Sequence, residues 1–482
     1  MRQRKGRTLT DFTKTLTAVA DTNGADSHTT DPHTDNDGIT RDDITAAPLP
    51  AHRDPWERRL LAHPNLLREM ATEIGGPFHV MYPARVGHNI RAFRQAFATA
   101  GVVGTIYYGK KANKADCVVA ECAAHGAGVD VSSTAELHAA LAGGVDGGDL
   151  MVTGPAKSDE LLRLAVRARA VIAIDALSEL DRLTALGGPA RVLLRALPPG
   201  SASRFGLRGD QLDLAVAQTD PQTIRLEGFS FHLSGYDYRP RAELAAALLE
   251  RCREARGWGH PITTISIGGG FGVDYVPEAA WTAFRTRLSP HWFHGDWEPK
   301  DLYPYHFPQP GPRMLTRVLE HDGLAQRLRR EGIGLAVEPG RALLDRAGST
   351  VFGVQGVKDL VAHGHSYLML TANGTSLSLS EQWFGSEFLP DPVLWPPGPG
   401  TVTPTAVGGA SCLEDDMISR RRIPLPRAAR SGDLLVYPNT AGYQMDSNES
   451  AFHDLAIPPK VVLRDIPGDS YEWSVESRIT ER

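Results

Sequence analysis

The sequence predicts an α/β protein in which a TIM-type (β/α)8 barrel is followed by an all-β domain. Eight short apolar runs rich in Val and Ile alternate with amphipathic segments between residues 105 and 337. Continuous apolar runs without polar alternation are typical of strands that are buried on both faces of a parallel sheet. After Arg346 the pattern changes to strand-like runs separated by Pro, Gly and Asn, which indicates a β domain.

The eight apolar runs have the length and spacing of barrel strands. They are Thr105–Tyr108, Val129–Val131, Leu150–Thr153, Val171–Ile174, Arg191–Arg195, Leu226–His232, Thr263–Ile267 and Ile333–Val337. The segments between them favour helices. In Arg241–Arg256, for example, Leu244, Leu248 and Cys252 recur every fourth residue and share one helix face. Eight such β/α units in about 240 residues fit one TIM barrel.

These patterns also set the predicted domain boundaries. We assign residues 1–52 to a disordered tail, because a polar segment of this kind buries too little apolar surface to offset its ordering entropy. The other units are a lead-in at 53–84, the barrel at 85–345 and the β domain at 346–482. The predicted strands of the β domain are Phe78–Tyr82 from the lead-in, Thr350–Val357, Tyr367–Leu370, Asp433–Tyr437 and Lys460–Arg464.

The seventh barrel connection is too long for a plain crossover and predicts an insertion near 276–325. Within it, His291–Phe307 is dense in aromatic residues. Such a segment suits a lid, a subunit contact or a packed surface excursion, and the sequence alone leaves these alternatives open.

Composition excludes several functional classes. With 41% hydrophobic residues and no run of roughly 18 apolar ones, the chain is predicted to be globular and without a membrane partner. A net charge of -6 gives no electrostatic reason to expect nucleic acid. The basic N-terminus lacks the apolar region of a secretory signal. The cysteines lack metal-ligand spacing and are too few for a disulfide scaffold, which predicts free thiols, no metal and a cytoplasmic location.

Five uncommon features lie at or just after the carboxyl ends of predicted barrel strands, the rim that carries active sites in TIM barrels. In order, they are Lys111, Arg195, His232, the triplet Gly268-Gly269-Gly270, and Glu338-Pro339-Gly340-Arg341. Each alone has a common structural role, such as a solvated lysine, a core histidine, a glycine turn or a loop salt bridge. Their joint placement at one rim favours a site. Lys110 is expected to face away from it, because successive strand residues point to opposite sides.

The combination predicts pyridoxal 5′-phosphate as the cofactor. The glycine triplet lets backbone N–H groups approach a phosphate closely. An amine such as Lys111 forms a Schiff base with an aldehyde. A carboxylate such as Glu338 keeps a pyridine nitrogen protonated, and an imidazole such as His232 stacks on the ring.

The chain resembles the alanine-racemase-fold (fold type III) pyridoxal-phosphate decarboxylases, the group of ornithine, arginine and diaminopimelate decarboxylases. The resemblance covers roughly Pro77 to Arg464. It rests on Tyr108–Asn113, Asp130–Leu137, Arg204–Leu207, Gly228–Gly235, the glycine triplet, Glu338–Arg341, Gly409–Asp416 and Ala441–Tyr443. The family's usual Gly-Ser order appears here as Ser234-Gly235.

The resemblance implies a role for each matching position. Lys111 would carry the cofactor, His232 would stack on it and Glu338 would pair with its ring nitrogen. Asp130 and Arg195 would form a supporting polar pair. The residues around the phosphate would be Ser234, Gly235, Gly268, Gly269, Gly270, Gly340, Arg341 and Tyr443. Cys412 would enter the neighbouring subunit's site and donate a proton, which implies a homodimer with shared active sites.

The substrate-reading positions depart from the family pattern. Basic-amino-acid decarboxylases carry an aspartate directly after the cysteine, where this chain has Leu413, and a second one where it has Asn373. Diaminopimelate decarboxylases carry a glutamate at the Leu413 position and an Arg-Pro pair that aligns with Ser380-Glu381. Glu414, Asp415 and Asp416 are candidate replacement acids. A lost charged partner in a buried pocket weakens recognition strongly, so an unusual amino acid, free or conjugated, is the expected substrate.

Three functions remain open on sequence grounds. The first is decarboxylation. The second is racemisation or epimerisation at the same carbon, although no tyrosine base aligns clearly where Cys412 stands. The third is a non-catalytic homologue that acts as an interaction protein, although such proteins tend to lose the lysine or the phosphate loop, and both are present here.

Overall fold

The structure is a computed structural model that describes residues 38–300, 302–380, 387–468 and 470–476. Glu381, one of the substrate-reading positions, lies outside the described residues. The architecture below belongs to the unit Thr40–Arg482. Among the described residues, no helix has both the length and the apolar character that a membrane crossing requires.

The lead-in consists of three short helices and one strand. These are α1 (Arg41–Ile44), α2 (Pro55–Ala62), α3 (Leu66–Ile74) and β1 (Phe78–Met81). Asp54 caps helix α2: its side chain accepts the Trp56 N–H, and proline occupies the first helical position.

The predicted tail was too long. Ile44 and Leu49 are fully buried. The Ala46 N–H donates to the Arg422 carbonyl at 3.1 Å, and the Leu49 N–H donates to the Asp391 carboxylate at 2.7 Å. A few apolar side chains with backbone partners are enough to order residues 40–52, although the segment is polar overall. Residues 1–37 of the predicted tail lie outside the described residues.

The predicted barrel is confirmed: in the described chain, eight parallel strands close through the β2–β9 pair. Helix α4 (Pro83–Ala100) precedes the barrel. The strands are β2 (Gly104–Gly109), β3 (Gly128–Val131), β4 (Leu150–Val152), β5 (Val171–Ile174), β6 (Ala190–Arg195), β7 (Ile224–Ser230), β8 (Thr264–Ser266) and β9 (Gly334–Val337). The helices of the connections are α5 (Asp116–Ala124), α6 (Thr134–Ala142), α7 (Asp159–Ala168), α8 (Leu177–Leu186), α9 (Gly209–Gln218), α10 (Tyr238–Gly257), α11 (Glu278–Arg287), α12 (Pro312–Glu320) and α13 (Leu324–Glu331).

The seventh connection contains the insertion, with α11 and two short 3-10 turns, Pro290–Trp292 and His294–Asp296. Several of its aromatic side chains are packed rather than exposed, and Trp292, Phe293 and Tyr305 are each at most 2% exposed. This burial matches a packed excursion, one of the alternatives that the sequence left open.

The remaining strands form one mixed sheet. They are β10 (Gly348–Ala362), β11 (His365–Ala372), β12 (Val393–Trp395), β13 (Thr403–Gly408), β14 (Met417–Leu425), β15 (Leu434–Tyr437), β16 (Lys460–Ile466) and β17 (Ser470–Val475). The sheet order is β14-β13-β11-β10-β1-β16-β17, and β15 pairs with both β10 and β12. As predicted, β1 joins this sheet, where it lies between β10 and β16.

Candidate active site

Two adjoining cavities open at the barrel rim, and Lys111, His232 and Glu338 line both of them. One cavity, of about 350 Å³, is also lined by Leu233, Ser234, Gly235, Tyr236, Gly269, Gly270, Phe271, Gly340, Arg341 and Tyr443. We call it the glycine cavity. The other, of about 320 Å³, is also lined by Ser132, Thr153, Gly154, Pro155, Ala173, Arg195, Phe205, Ser230 and Phe231. We call it the inner cavity.

Lys111 lies in a 3-10 turn, Lys110–Ala112, directly after β2. The β domain fixes this turn: the Tyr443 N–H donates to the Ala112 carbonyl at 2.8 Å, and the Asn113 amide donates to the Ala441 carbonyl at 2.8 Å. Lys110 is buried and its Nζ donates to the Lys114 carbonyl, away from both cavities. The two lysines thus diverge within a turn, and not by the strand alternation that the sequence suggested.

The Lys111 amine lies close to the carboxylate of Asp130. Its Nζ lies 3.5 Å from Asp130 Oδ2, and the Thr153 hydroxyl donates to the other oxygen of Asp130 at 2.6 Å. The Asp130 carboxylate raises the pKa of the Lys111 ammonium above its usual range, in spite of the opposing effect of burial. A positive charge on this nitrogen is therefore strongly favoured.

His232 is held as a neutral ring. Burial, together with the positive charges of Lys111 and Arg195, lowers the pKa of His232 to about 4. The Gly269 N–H donates to His232 Nδ1 at 3.3 Å, which places the ring proton on Nε2. A neutral, oriented imidazole at the junction of the cavities is suited to stack on a flat aromatic ligand.

Glu338 follows β9 and is anchored at both ends. Its backbone N–H donates to the Gly268 carbonyl at 2.9 Å, and the Ser266 hydroxyl donates to Glu338 Oε1 at 2.5 Å. Burial, and then the neighbouring Asp130 carboxylate, raise the pKa of Glu338 to about 7. A cationic partner would favour the ionised form of this carboxyl group and lower its pKa.

The glycines of the rim leave no room for side chains. A Cβ at Gly269 would lie 2.7 Å from the Glu338 carbonyl oxygen, and one at Gly340 would lie 2.9 Å from the Ala112 Cβ. Gly268 and Gly270 have φ of 69° and 81°, in the left-handed region that favours glycine. This part of the rim therefore consists of backbone, with the close approach that a phosphate requires.

Arg341 brings a fixed positive charge to the glycine cavity. Its guanidinium lies 4.7 Å from the Tyr303 ring centre and 4.8 Å from that of Tyr443. Its Nη1 donates to the Tyr275 hydroxyl and to the Gly442 carbonyl, each at 3.0 Å. Tyr303 belongs to the aromatic insertion, which thereby helps to position a residue of the cavity.

Arg241 supports the loop that lines this cavity, and sequence reasoning missed it. Its Nη2 donates to the carbonyls of Leu233 and Gly235 at 2.8 and 2.7 Å, so it braces the loop that carries Ser234. It is 1% exposed, and burial lowers its pKa to about 10. The sequence does contain a pattern that points to Arg241, because this arginine lies near the start of a helix that directly follows a rim motif.

Replacing Arg241 with methionine is expected to weaken cofactor binding by about 10- to 100-fold, because it removes charge and leaves buried carbonyls unpaired. Titration of the apoenzyme with pyridoxal phosphate, followed by visible absorbance, measures the change. Arg239→Met, on the exposed face of the same helix, is the matched control. Equal weakening in both variants would contradict the bracing role.

One expected pairing was wrong. Asp130 and Arg195 have different partners: Asp130 pairs with Lys111 and Thr153, whereas Arg195 lies 3.5 Å from Asp175 and 4.5 Å from the Phe205 ring centre. Arg195 ends β6, and Asp175 follows the neighbouring strand β5. Asp130 lies on β3, which is further around the barrel. Arg195 still lines the inner cavity.

Two predicted substrate residues serve the fold instead. Asn373 accepts the Gly353 N–H at 2.8 Å, and Asp416 accepts the Ser376 and Ser411 N–H groups at 2.7 and 3.1 Å. Asp416 is 3% exposed. Because its two carboxylate oxygens accept these two backbone N–H groups, Asp416 fixes the loop that precedes β14.

The loop Ser411–Asp415 points outward. Cys412, Leu413 and Glu414 are exposed, and none of them lines either cavity of their own subunit. Cys412 Sγ lies 3.1 Å from His453 Nε2. The structure therefore does not bring Cys412 together with Lys111 within one chain.

The rim residues fit pyridoxal 5′-phosphate. Gly270 and Gly340 bring bare backbone to the wall of the glycine cavity, and Arg341 adds a cation, which together suit a phosphate. Lys111 offers an amine at the junction, and Glu338 offers an acid for the ring nitrogen. His232 offers a neutral ring face.

Comparison with known proteins identifies the family. Residues 84–289 match the family described as pyridoxal-dependent decarboxylase, pyridoxal binding domain. An uncharacterised protein of Sinorhizobium fredii is 37% identical over 419 residues, which cover 84% of this chain and 91% of the relative. The chain belongs to the pyridoxal-dependent decarboxylases. Its cofactor is pyridoxal 5′-phosphate, as the sequence predicted.

Relatives with a named activity are decarboxylases as well. A diaminopimelate decarboxylase of Actinosynnema pretiosum is 28% identical over 421 residues, covering 82% of this chain and 86% of the relative. Lysine/ornithine decarboxylase of Vibrio vulnificus, solved with putrescine, has a TM-score of 0.65 at 20% identity. The superposition covers 83% of this chain and 97% of that one, and it shows the shared fold.

Proposed function

We propose that this decarboxylase acts on an unusual amino acid, free or conjugated, with Lys111 as the residue that carries the cofactor. The observation that supports the proposal best is the position of the Lys111 amine, at the junction of the glycine cavity and the inner cavity. The cofactor's phosphate would occupy the glycine cavity. The substrate would then approach from the side of the inner cavity.

When bound, pyridoxal phosphate supplies an electron sink for the electron pair that remains when the carboxylate leaves as carbon dioxide. Glu338 would place its carboxyl group beside the ring nitrogen, where a positive charge on the ring favours the ionised carboxylate. Neutral His232 offers a face for stacking without adding a positive charge. Asp130 stabilises the positive charge on the Lys111 nitrogen.

The substrate class follows from what the site lacks. Leu413 replaces the acid that would hold a distal amine, and it is 40% exposed. The inner cavity is lined mostly by small polar, apolar and aromatic side chains, and its charged groups Lys111, Arg195 and Glu338 have partners in the described structure. These features support a substrate whose far end is neither a simple ammonium group nor the second amino-acid centre of diaminopimelate.

A panel of amino acids tests the substrate class. Carbon dioxide release from ornithine, lysine, arginine and diaminopimelate is expected to be at least about 100-fold slower than from the best neutral or conjugated substrate, since an unpaired buried charge costs several kcal/mol. Leu413→Asp is expected to raise turnover of the basic substrates, whereas Leu413→Asn is the matched control. Rapid wild-type turnover of any of the four amino acids would contradict the proposal.

We also propose that Cys412 donates the proton in the partner subunit's site. Its thiol is exposed, absent from the cavities of its own subunit and 3.1 Å from His453 Nε2. His453 has a positive φ of 61°, so the backbone is held in a conformation that directs this ring. The imidazole gives the thiol an exchange partner that can return the proton after each turnover.

Subunit mixing tests this shared site. Lys111→Ala and Cys412→Ala, each inactive alone, are expected to recover about a quarter of wild-type activity when mixed, because half of the dimers are mixed and each holds one intact site. Native mass spectrometry verifies the exchange. Verified exchange without recovered activity would show that Cys412 acts within its own subunit or not at all.

A further inference from the structure

Three ligand-type side chains converge at one point outside the active site. His291 and Asp296 lie in the two 3-10 turns of the barrel insertion, and His363 lies in the turn between β10 and β11. The ligand atoms of these three residues all lie within 4.8 Å of one another. The cluster joins the barrel's insertion to the long hairpin of the β domain.

The distances within the cluster suit a metal ion. His363 Nε2 lies 2.9 Å from Asp296 Oδ2, and His291 Nδ1 lies 3.5 Å from Asp296 Oδ1. A tetrahedral zinc ion with ligands at about 2.0–2.1 Å separates neighbouring ligand atoms by about 3.3 Å. The two measured separations, each to a different oxygen of Asp296, lie on either side of that value, and side-chain shifts would bring the three ligands onto one ion.

His291 presents a nitrogen that the described protein does not satisfy. The Nδ1 atom is buried from solvent and makes no hydrogen bond. Its distance to the carboxylate is too long for a hydrogen bond with good geometry. A cation between the imidazole and Asp296 would give this nitrogen a partner, and buried nitrogens without one are costly.

The backbone around the cluster is anchored and strained. Arg422 of β14, 1% exposed, donates to the His291 carbonyl at 2.6 Å and stacks on the Tyr367 ring. Asp296 and His363 both have positive φ, of 48° and 47°, which side-chain-bearing residues rarely adopt. Two such residues directed at one point indicate that the surrounding structure imposes their placement.

We propose that His291, Asp296 and His363 form a binding site for a divalent transition-metal ion of the zinc class. Two imidazoles and one carboxylate are the ligand set that zinc and its neighbours prefer, with water completing the tetrahedron. The ion would clamp the insertion to the β10–β11 hairpin. Tyr303 of the same insertion packs against Arg341, which lines the glycine cavity. The clamp would therefore also stabilise that cavity from a distance.

Cobalt titration of the holoenzyme tests the site, after dialysis against a chelator. We expect one equivalent of Co²⁺ to bind with ligand-field bands typical of nitrogen and oxygen ligands, and Zn²⁺ to displace it. In His291→Ala and His363→Ala the affinity should fall at least about 100-fold, since even residues that only support a metal ligand contribute 10- to 100-fold. Thermal unfolding should shift upward with Zn²⁺ in the wild type only.

Two further variants distinguish an ion at these three residues from one bound elsewhere on the protein. Asp296→Asn keeps the size of the side chain and should lower affinity without loss of the folded state. His138→Ala, an exposed histidine on α6, should bind as the wild type does. Absence of Co²⁺ binding, equal binding in wild type and both histidine variants of the cluster, or a thiolate charge-transfer band that places the ion at Cys412 would each overturn the proposal.

Discussion

Replacing Lys111 with alanine is expected to abolish the covalent attachment of pyridoxal phosphate and to reduce decarboxylation to background. The reason is geometric, since Lys111 is the lysine that lines both rim cavities. Borohydride reduction of the wild type should lock the cofactor onto the peptide that contains Lys111. Mass spectrometry of digested wild type and variant measures the attachment directly, independently of activity.

Lys110→Met is the matched control for this experiment. Lys110 is adjacent in sequence, but its side chain is buried and its Nζ donates to the Lys114 carbonyl. We expect the variant to retain the attached cofactor, with at most a loss of thermal stability. A reduced adduct found on Lys110, or one that persists in Lys111→Ala, would show that the amine has been assigned to the wrong residue.

Replacing Glu338 with glutamine is expected to leave the cofactor bound and to slow decarboxylation by at least about 100-fold, the scale of removing one preorganised charged group. Glutamine retains the side-chain length and can still accept the Ser266 hydrogen bond. What it lacks is the negative charge that would stabilise a protonated ring nitrogen. Single-turnover kinetics and a cofactor titration separate the rate from the binding.

The pH dependence gives a second measurement on Glu338. Burial raises its pKa to about 7, and a cationic ring nitrogen would lower that value, because an opposite charge favours the carboxylate. We therefore expect a catalytic pKa below 7 in the wild type, and its disappearance in Glu338→Gln. Ser266→Ala, which removes one donor to the carboxylate, should show a milder loss of rate. Normal turnover in Glu338→Gln would make the residue structural.

Much of the fold could be predicted because the sequence patterns that indicate its strands and helices are local. Each of the eight barrel strands was predicted, since each is a short apolar run between helical segments. By contrast, β12, β13, β14 and β17 were missed. Strand β14 illustrates the reason: its sequence MISRRRIPL reads as exposed and basic, yet Arg421 and Arg422 are fully buried through partners that are distant in sequence.

The sequence by itself determined which residues reach the barrel rim, because parallel strands bring their carboxyl ends to one side of the barrel. Lys111, His232 and Glu338 were therefore predicted without knowledge of any contact. Only the tertiary structure decided their partners. Asp130 pairs with Lys111 instead of Arg195, Asp416 braces a loop, and Arg241 supports the cavity from a helix.

The His291–Asp296–His363 cluster shows the same limit most clearly. The cysteines gave no metal-ligand spacing, so the sequence predicted no metal, and nothing local links a barrel insertion to a hairpin 67 residues away. Periodicity reports which face of an element is buried. Which side chains meet across that surface depends on how separate elements pack, and packing is decided by contacts that are remote along the chain.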